Sequence, residues 1–232
     1  GTYGDTTLHR LNVPAHEIKT LDDYRTRYSL YRLDKDLILA HQKKAFITTW
    51  DDHESANNPW AGGAQNHQSE TEGDWIARRD ASLQAYYEWM PIREPQAGMT
   101  RAQFWRAYVF GDLATLITLE TRHTGRGEQV DYLKFFDQIK TKEDADTFKR
   151  DIIGDQNRAM ISTEMERFLS ANLTASVADG QPWRIIGNAS PIARMLVPDV
   201  AAHGIDPTTQ KNAPAPDTLN ALVWKGRWNL PF

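Results

Sequence analysis

The chain has 232 residues, of which 40% are hydrophobic and 25% charged, and this length predicts a soluble globular protein with one domain or two small ones. The formal charge of −4 provides no basic field to follow a phosphate backbone, so nucleic acid is not expected as a main partner. Because the chain has no cysteine, disulfides and thiolate metal sites within it are excluded. No apolar stretch approaches the ~20 residues that span a bilayer, and no signal peptide is visible.

The first predicted element is an amphipathic helix over residues 21–45. Tyr24, Tyr28 and Leu37 recur at helical spacing with charged residues between them. Thr20 precedes this pattern as a predicted N-cap. His41 falls on the same helix, where we interpret it as a packed histidine.

A short apolar run then leads into a charged cluster. Residues 46–50 are β-branched and aromatic, which predicts a buried strand that ends at Asp51, Asp52, His53 and Glu54. Residues 57–72 are rich in Asn, Gly, Gln and Ser, and they predict an irregular surface loop.

Further elements follow in chain order. Helical spacing predicts helices over 74–90, 142–153 and 157–177, and apolar runs around Gly111-Asp112 predict a hairpin of strands 104–110 and 113–120. Residues 182–187 predict one more buried strand. The breakers within 198–216 exclude a long regular element there, and the apolar ending Leu230-Pro231-Phe232 is typical of a chain cut from a longer protein.

The chemistry of the chain is concentrated in the cluster 51–54. A carboxylate beside an imidazole can supply one metal ligand and one proton donor. Adjacent side chains diverge along the backbone, so only two or three of these four groups can face one site. On these residues alone, a turn and helix-cap role is favoured over a metal site.

The surrounding residues change this interpretation. Blocks of matching residue type and spacing, in the same order, make residues 1–188 resemble the alkaline phosphatase D (PhoD-like) family of metallophosphoesterases. The block with the most specific match is Trp50-Asp51-Asp52-His53-Glu54. The other blocks are Tyr24-Arg25-Thr26-Arg27-Tyr28, Ala85 to Arg93, Phe110 to Leu113, Leu119 to Arg122, Met160 to Leu169 and Trp183 to Asn188.

The resemblance implies hydrolysis of phosphate monoesters or diesters by a metal-activated water. Asp52 would be a metal ligand, and His53 would give a proton to the departing alkoxide. Calcium and iron are the metals expected of the family, with zinc or manganese as alternatives. Asp51 and Glu54 would support the site, whereas Asn57 and Asn58 fit either a calcium ligand or a turn.

Some residues depart from the family pattern. Glu120 stands where the family usually has Asp, and Ser162, Met165 and Phe168 also differ; we interpret these positions as remote from the chemistry. The metal-binding blocks expected before Gly1 and beyond Phe232 are absent. The resemblance therefore implies that 1–232 is the central fragment of a catalytic domain and, alone, binds metal weakly.

The fold implied is helix-rich α/β, a partial metallophosphatase-like β-sandwich flanked by helices, whose open sheet edges allow self-association. The family is expected in the periplasm or outside the cell. The alternative function is a catalytically inactive remnant or binding module on the same scaffold.

Outside the cluster, two arginines and most of the histidines are interpreted as surface residues. Arg25 and Arg27 are interpreted as surface ion pairs, with phosphate binding as the lesser alternative. The remaining histidines are predicted to be solvated, namely His9, His16, His67, His123 and His203.

Overall fold

The structure, a computed structural model, describes residue 7 and residues 11–135 and 137–190 of the chain. These residues combine helices with a three-stranded sheet, so the predicted helix-rich α/β class is confirmed. The chain divides into two compact units. The described part of the first is residues 7, 11–128 and Met160–Ala189, and the second includes Gln129–Ala159.

Two helices replace the single helix predicted over 21–45. Helix α1 spans Leu21–Tyr31 and begins at the predicted N-cap, where the side chains of Thr20 and Asp23 form a capping box. Helix α2 spans Lys35–Lys43. The break occurs because the Asp34 carboxylate accepts hydrogen bonds from the backbone of Asp36 and Leu37, which starts a new helix.

Helices α3 (Ser69–Glu72) and α4 (Trp75–Trp89) follow, and α4 confirms the helix predicted over 74–90. Asp74 caps it through the backbone N–H of Ala77. Leu83, Tyr86 and Tyr87 of α4 are buried with Trp50, Ala102 and Phe104 in one hydrophobic cluster.

The predicted hairpin is confirmed as strands β1 (Arg106–Phe110) and β2 (Ala114–Thr118), which pair antiparallel. Gly111 adopts a φ of 56° in the connection, a conformation that glycine tolerates without strain. Strand β3 (Trp183–Gly187) pairs parallel with β2, in the order β1-β2-β3.

Strand β3 was predicted to be buried, and this part of the prediction is wrong. Its side chains are largely exposed, and Trp183 is 63% exposed. Among the described residues only β2 adjoins this strand in the sheet. Its apolar composition therefore indicated a strand but did not determine which surface would cover it.

Helix α6 spans Thr163–Ala178, later than the predicted start at 157, because the Ser162 hydroxyl caps it through Met165 N at 3.2 Å. Met165 packs with Ile117 and Leu119 behind the sheet. The backbone at the start of this helix also lies very close to Gly125. A Cβ at Gly125 would fall 2.1 Å from the Ser162 nitrogen, so only glycine fits there.

The second unit is built from a 3-10 helix (Tyr132–Phe135), helix α5 (Lys142–Phe148) and a π-helix (Lys149–Ile153). The helix predicted over 142–153 is thus present, with a wider final turn. Ile139, Ala145 and Phe148 form the buried core of this unit.

Residues 46–50 form no strand, so that prediction is wrong. Phe46 and Ile47 are 40% and 43% exposed, and Trp50 alone is fully buried. The Thr49 hydroxyl reaches the Leu119 carbonyl at 3.4 Å, but the run forms no ladder with any described strand. A β-like composition without a pairing partner leaves an extended connection.

Residues 57–72 are largely irregular as predicted, but they are not all at the surface. Ala64, together with Ala56 and Trp75, forms a buried cluster. Trp60 and Gly63 form an isolated bridge, with the glycine under the indole ring.

No helix within the described ranges is long and apolar enough to cross a membrane. The described strands form one sheet, so the two-sheet sandwich and the association through its edges stay predictions. The tail segments 198–216 and 230–232 lie outside the described residues.

Candidate functional site

The site begins at Trp50, which places the charged cluster. Its side chain is fully buried and its ring stacks on Phe104, with centroids 4.7 Å apart. Tyr86 and His123 contact it edge-on, each at 5.5 Å. The chain therefore emerges from the core directly into Asp51, Asp52 and His53.

A buried carboxylate holds the indole of Trp50. Trp50 Nε1 donates to Glu120 Oε1 at 3.0 Å. The same carboxylate accepts backbone N–H bonds from Arg122 at 2.7 Å, His123 at 2.6 Å and Thr124 at 2.9 Å. Glu120 is 0% exposed, and these donors take the place of the water that would hydrate an exposed carboxylate.

Arg122 extends this anchor to the charged cluster. Its Nη2 donates to Asp51 Oδ1 at 3.0 Å and to the Ala189 carbonyl at 2.8 Å. Asp51 also donates its backbone N–H to Glu54 Oε2 at 2.7 Å, which closes the turn between them. Burial raises the pKa of Glu54. Asp51 and Glu54 therefore stabilise the turn itself.

Asp52 and His53 point away from the core. Their side chains are 33% and 64% exposed, and His53 Nε2 lies 3.5 Å from Asp52 Oδ2. The backbone carbonyl of Asp52 accepts from Asn58 N at 2.8 Å, so the loop returns on itself behind the pair. The two residues singled out from the sequence are thus adjacent, accessible and set on a fixed turn.

Asn57 and Asn58 have the turn role. Both side-chain amides donate to Gln65 Oε1, at 2.6 and 3.0 Å, and Asn58 adopts a φ of 47°. These contacts do not arrange the side-chain oxygens of Asn57 and Asn58 around a metal position.

A cavity of about 710 Å³ opens beside His53. Its lining includes side chains from α1, among them Arg27 and Tyr28, and the loop that carries Glu54 and Asn57. Tyr28 stacks on Trp89 with centroids 6.4 Å apart, so this wall belongs to the packed core.

The two arginines of the sequence motif have different environments. Arg25 makes a two-pronged contact with Glu88 at 2.7 and 2.6 Å, which lowers the pKa of Glu88 to about 2. Among the described residues, Arg27 donates to the carbonyls of Val13 and Pro14, at 3.0 and 3.1 Å, and forms no ion pair. The surface-pair interpretation is therefore correct for Arg25, whereas the described residues give Arg27 no such pair.

Two of the histidines predicted to be solvated are buried. The His67 side chain is 2% exposed, with Nδ1 3.4 Å from Glu72 Oε2 and Nε2 3.1 Å from the Gly73 carbonyl. His123 is 1% exposed and lies between Trp50 and Trp75. Neither residue stands in an apolar run, so the local sequence gave no indication of burial.

Of the other histidines, His16 is 64% exposed, as predicted, and its Nε2 lies 3.0 Å from Asp23 Oδ1. His41 packs face to face on Phe46, with ring centroids 4.3 Å apart. His9 and His203 lie outside the described residues.

Glu120, interpreted from the sequence as remote from the chemistry, contacts the tryptophan directly before the cluster 51–54. The sequence contained one indication: Glu120, Thr121 and Arg122 form a polar block directly after an apolar strand. Long-range contacts of this kind, 70 residues apart, leave no periodic pattern.

The described residues bring few possible metal ligands together. Within residues 11–135 and 137–190, no group of three or more His, Cys, Asp or Glu side chains converges to hold an ion. Asp52 and His53 supply at most two donors. A hard cation such as calcium takes six to eight oxygen ligands, so the described residues do not fit a complete metal site.

Comparison with known proteins shows the class of protein to which this chain belongs. The PhoD-like phosphatase family matches residues 2–229 of the chain. The chain therefore belongs to the PhoD-like phosphatase family.

Two individual relatives support this family assignment. Alkaline phosphatase D of Bacillus subtilis (strain 168) is 33% identical over 197 residues, which are 79% of this chain and 31% of that protein. The solved structure described as "Structure of PhoD" is 31% identical, with a TM-score of 0.56 over 75% of this chain and 30% of that one. The chain thus spans about a third of the length of these relatives.

The first prediction concerns Glu120. Glu120→Ala should lower the free energy of unfolding by about 3 kcal/mol or more, because the indole N–H and several backbone N–H groups would remain buried without an acceptor. Urea unfolding followed by tryptophan fluorescence measures this. Glu120→Gln should lose less, since one oxygen still accepts. Glu70→Ala, an exposed change on α3, should cost under about 0.5 kcal/mol. Equal stabilities of the Glu120→Ala and Glu70→Ala variants would contradict the anchor.

The second prediction concerns His123. Burial lowers the pKa of His123 from 6.5 to about 4. The unfolded chain therefore binds this proton more readily, and stability should decline as pH falls from 6.5 to 4, by up to about 3 kcal/mol. Above pH 6.5 the group contributes no slope.

His123→Gln, which cannot titrate, is the comparison. Urea unfolding of both proteins between pH 7 and 4 removes the contribution of groups that the two share. The wild type should lose more stability than the variant, and parallel curves would show that His123 is not buried in the neutral form.

Proposed function

We propose that this chain is the central part of a phosphoesterase that hydrolyses phosphate monoesters or diesters, with His53 as proton donor to the leaving oxygen. The observation that carries the proposal is the Asp52–His53 pair, 3.5 Å apart, exposed on a turn anchored to the core and beside a cavity. Membership of the PhoD-like phosphatase family supports the same reaction class.

The proposed role of His53 follows from its position. Histidine titrates near neutral pH and can carry a proton to an alkoxide as the P–O bond breaks while water adds to phosphorus. The alcohol then leaves in its neutral form. Asp52 lies close enough to orient the imidazole.

Asp52 is proposed as one metal ligand in the whole protein. Since the described residues do not supply a full ligand set, the other ligands would come from chain outside them. Calcium and iron are the proposed metals, with zinc or manganese as alternatives. The isolated chain is expected to bind none of them tightly.

The remaining proposals concern the whole protein. Residues 1–232 are proposed to form a central section of one catalytic domain, and β1–β3 to be part of a two-sheet sandwich. Apolar side chains exposed on the outer strands, including Val109 and Ile185, would be covered by further strands or by association. A periplasmic or extracellular location is proposed from the family.

A second candidate is a catalytically inactive remnant or binding module. It is favoured by the lack of a three-ligand group within the part of the chain that the structure describes. Activity measurements on the whole protein separate the two candidates.

The third prediction tests the reaction through His53. In the whole protein, His53→Ala should slow alkyl phosphates, which have poor leaving groups, by roughly 10²–10⁴-fold, and 4-nitrophenyl phosphate by much less. His16→Ala is the matched control, because its side chain is equally exposed at 64% and lies outside the site. Equal losses on both esters would exclude proton donation, and absence of hydrolysis by the wild type would favour the remnant.

The fourth prediction tests Asp52. In the whole protein, Asp52→Asn should lower metal content and activity together, because an anionic ligand is replaced by a neutral one. Asp112→Asn is the control, since Asp112 is an exposed carboxylate in the connection between β1 and β2. Elemental analysis after gel filtration measures metal per protein. Unchanged metal content in Asp52→Asn would remove Asp52 from the ligand set.

A further inference from the structure

The cavity beside His53 is lined by a guanidinium that forms no ion pair with the described residues. Glu54 also lines the cavity, where its carboxylate accepts the backbone N–H of Asp51. Arg27 lines the cavity, and no carboxylate among the described residues lies within ion-pair distance of its guanidinium. Arg78 lines the same cavity but pairs with Glu17 at 3.0 Å and Glu72 at 3.1 Å. Of the two arginines on this lining, Arg27 is therefore the one that the described residues leave available to a ligand.

The guanidinium of Arg27 is held in place by its backbone contacts. Nε donates to the Val13 carbonyl and Nη2 to the Pro14 carbonyl. An arginine has five N–H donors, so three remain. Its orientation is thus fixed by neutral acceptors, and no residue within 11–135 or 137–190 takes its charge or its remaining donors.

The neighbouring walls are aromatic. Tyr24 is 1% exposed and donates its hydroxyl hydrogen to the Ser55 carbonyl. Tyr28 is held by its stack on Trp89. Tyr31, one turn further along α1, lines the cavity and is 57% exposed. This wall suits the carbon skeleton of a ligand, whereas Arg27 suits an anionic substituent on it.

We propose that this cavity binds the organic group of the phosphate ester and that Arg27 binds a second negative charge carried by that group. The inference rests on the proposed function, since it takes His53, on the cavity lining, to face the oxygen that bridges phosphorus and the organic group. The substrates are then esters with an additional carboxylate or phosphate, in preference to esters of neutral alcohols.

The experiment compares two esters of one shape. Phenyl phosphate and 4-carboxyphenyl phosphate are hydrolysed by the whole protein, and the ratio of their kcat/KM values reports recognition of the added charge. Arg27→Met should lower this ratio about tenfold, the loss expected for one charge-assisted hydrogen bond. The charge-retaining variant Arg27→Lys should keep part of the preference.

Arg25→Met is the matched control. It removes an arginine from the same helix, two positions away, but that guanidinium is paired with Glu88. The ratio should remain that of the wild type. An equal loss on both esters in Arg27→Met would place Arg27 on the reacting phosphate, and no change on either would leave it without a ligand; each result overturns the proposal.

A binding measurement separates this proposal from the proposed function. Benzylphosphonate and 4-carboxybenzylphosphonate, which cannot be hydrolysed as esters, are titrated into the same proteins by calorimetry. The carboxylated compound should bind more tightly to the wild type, and the difference should disappear in Arg27→Met. If no ester is hydrolysed but this difference is present, the cavity assignment stands and the catalytic one fails. Equal binding of both compounds to the wild type overturns the cavity assignment.

Discussion

The buried carboxylate of Glu120 is the contact on which the arrangement of the candidate site depends. An ionised side chain in the core is costly unless its oxygens are fully hydrogen-bonded, and here one indole and several backbone N–H groups meet that need. The same bonds fix two distant segments to each other, the end of β2 and the turn after Trp50. Arg122 then ties Asp51 to that anchor. The turn that carries Asp52 and His53 is thereby attached to the core through the residue before it.

Local and long-range interactions differ in how well the sequence reports them. Thr20, Asp74 and the Gly111 turn act within a few residues of themselves, and the two helix starts and the hairpin connection that they determine were predicted correctly. Residues 46–50 and strand β3 have the composition of buried strands, yet whether a strand pairs and what covers it depend on distant chain. The break at Asp34 was missed although it is local, because the apolar spacing continued across it.

The same distinction applies to the candidate site. The cluster 51–54 was visible in the sequence because its chemistry is contiguous, and the resemblance raised Asp52 and His53 above a turn interpretation. Neither the burial of His123 nor the contact between Glu120 and Trp50 could be predicted, since each joins segments that are far apart in the chain. The different environments of Arg25 and Arg27 also required the structure: one guanidinium contacts Glu88, 63 positions away, and the other contacts carbonyl oxygens of Val13 and Pro14.

The close approach of Gly125 to the start of α6 has a consequence for how the family can vary. The segment from Glu120 to Gly125 is fastened at one end by a carboxylate and at the other by backbone in direct van der Waals contact with Ser162. An insertion or deletion between these two points would have to break one fastening, and a side chain at the second would push the helix away. Related sequences should therefore keep the number of residues between Glu120 and Gly125 unchanged.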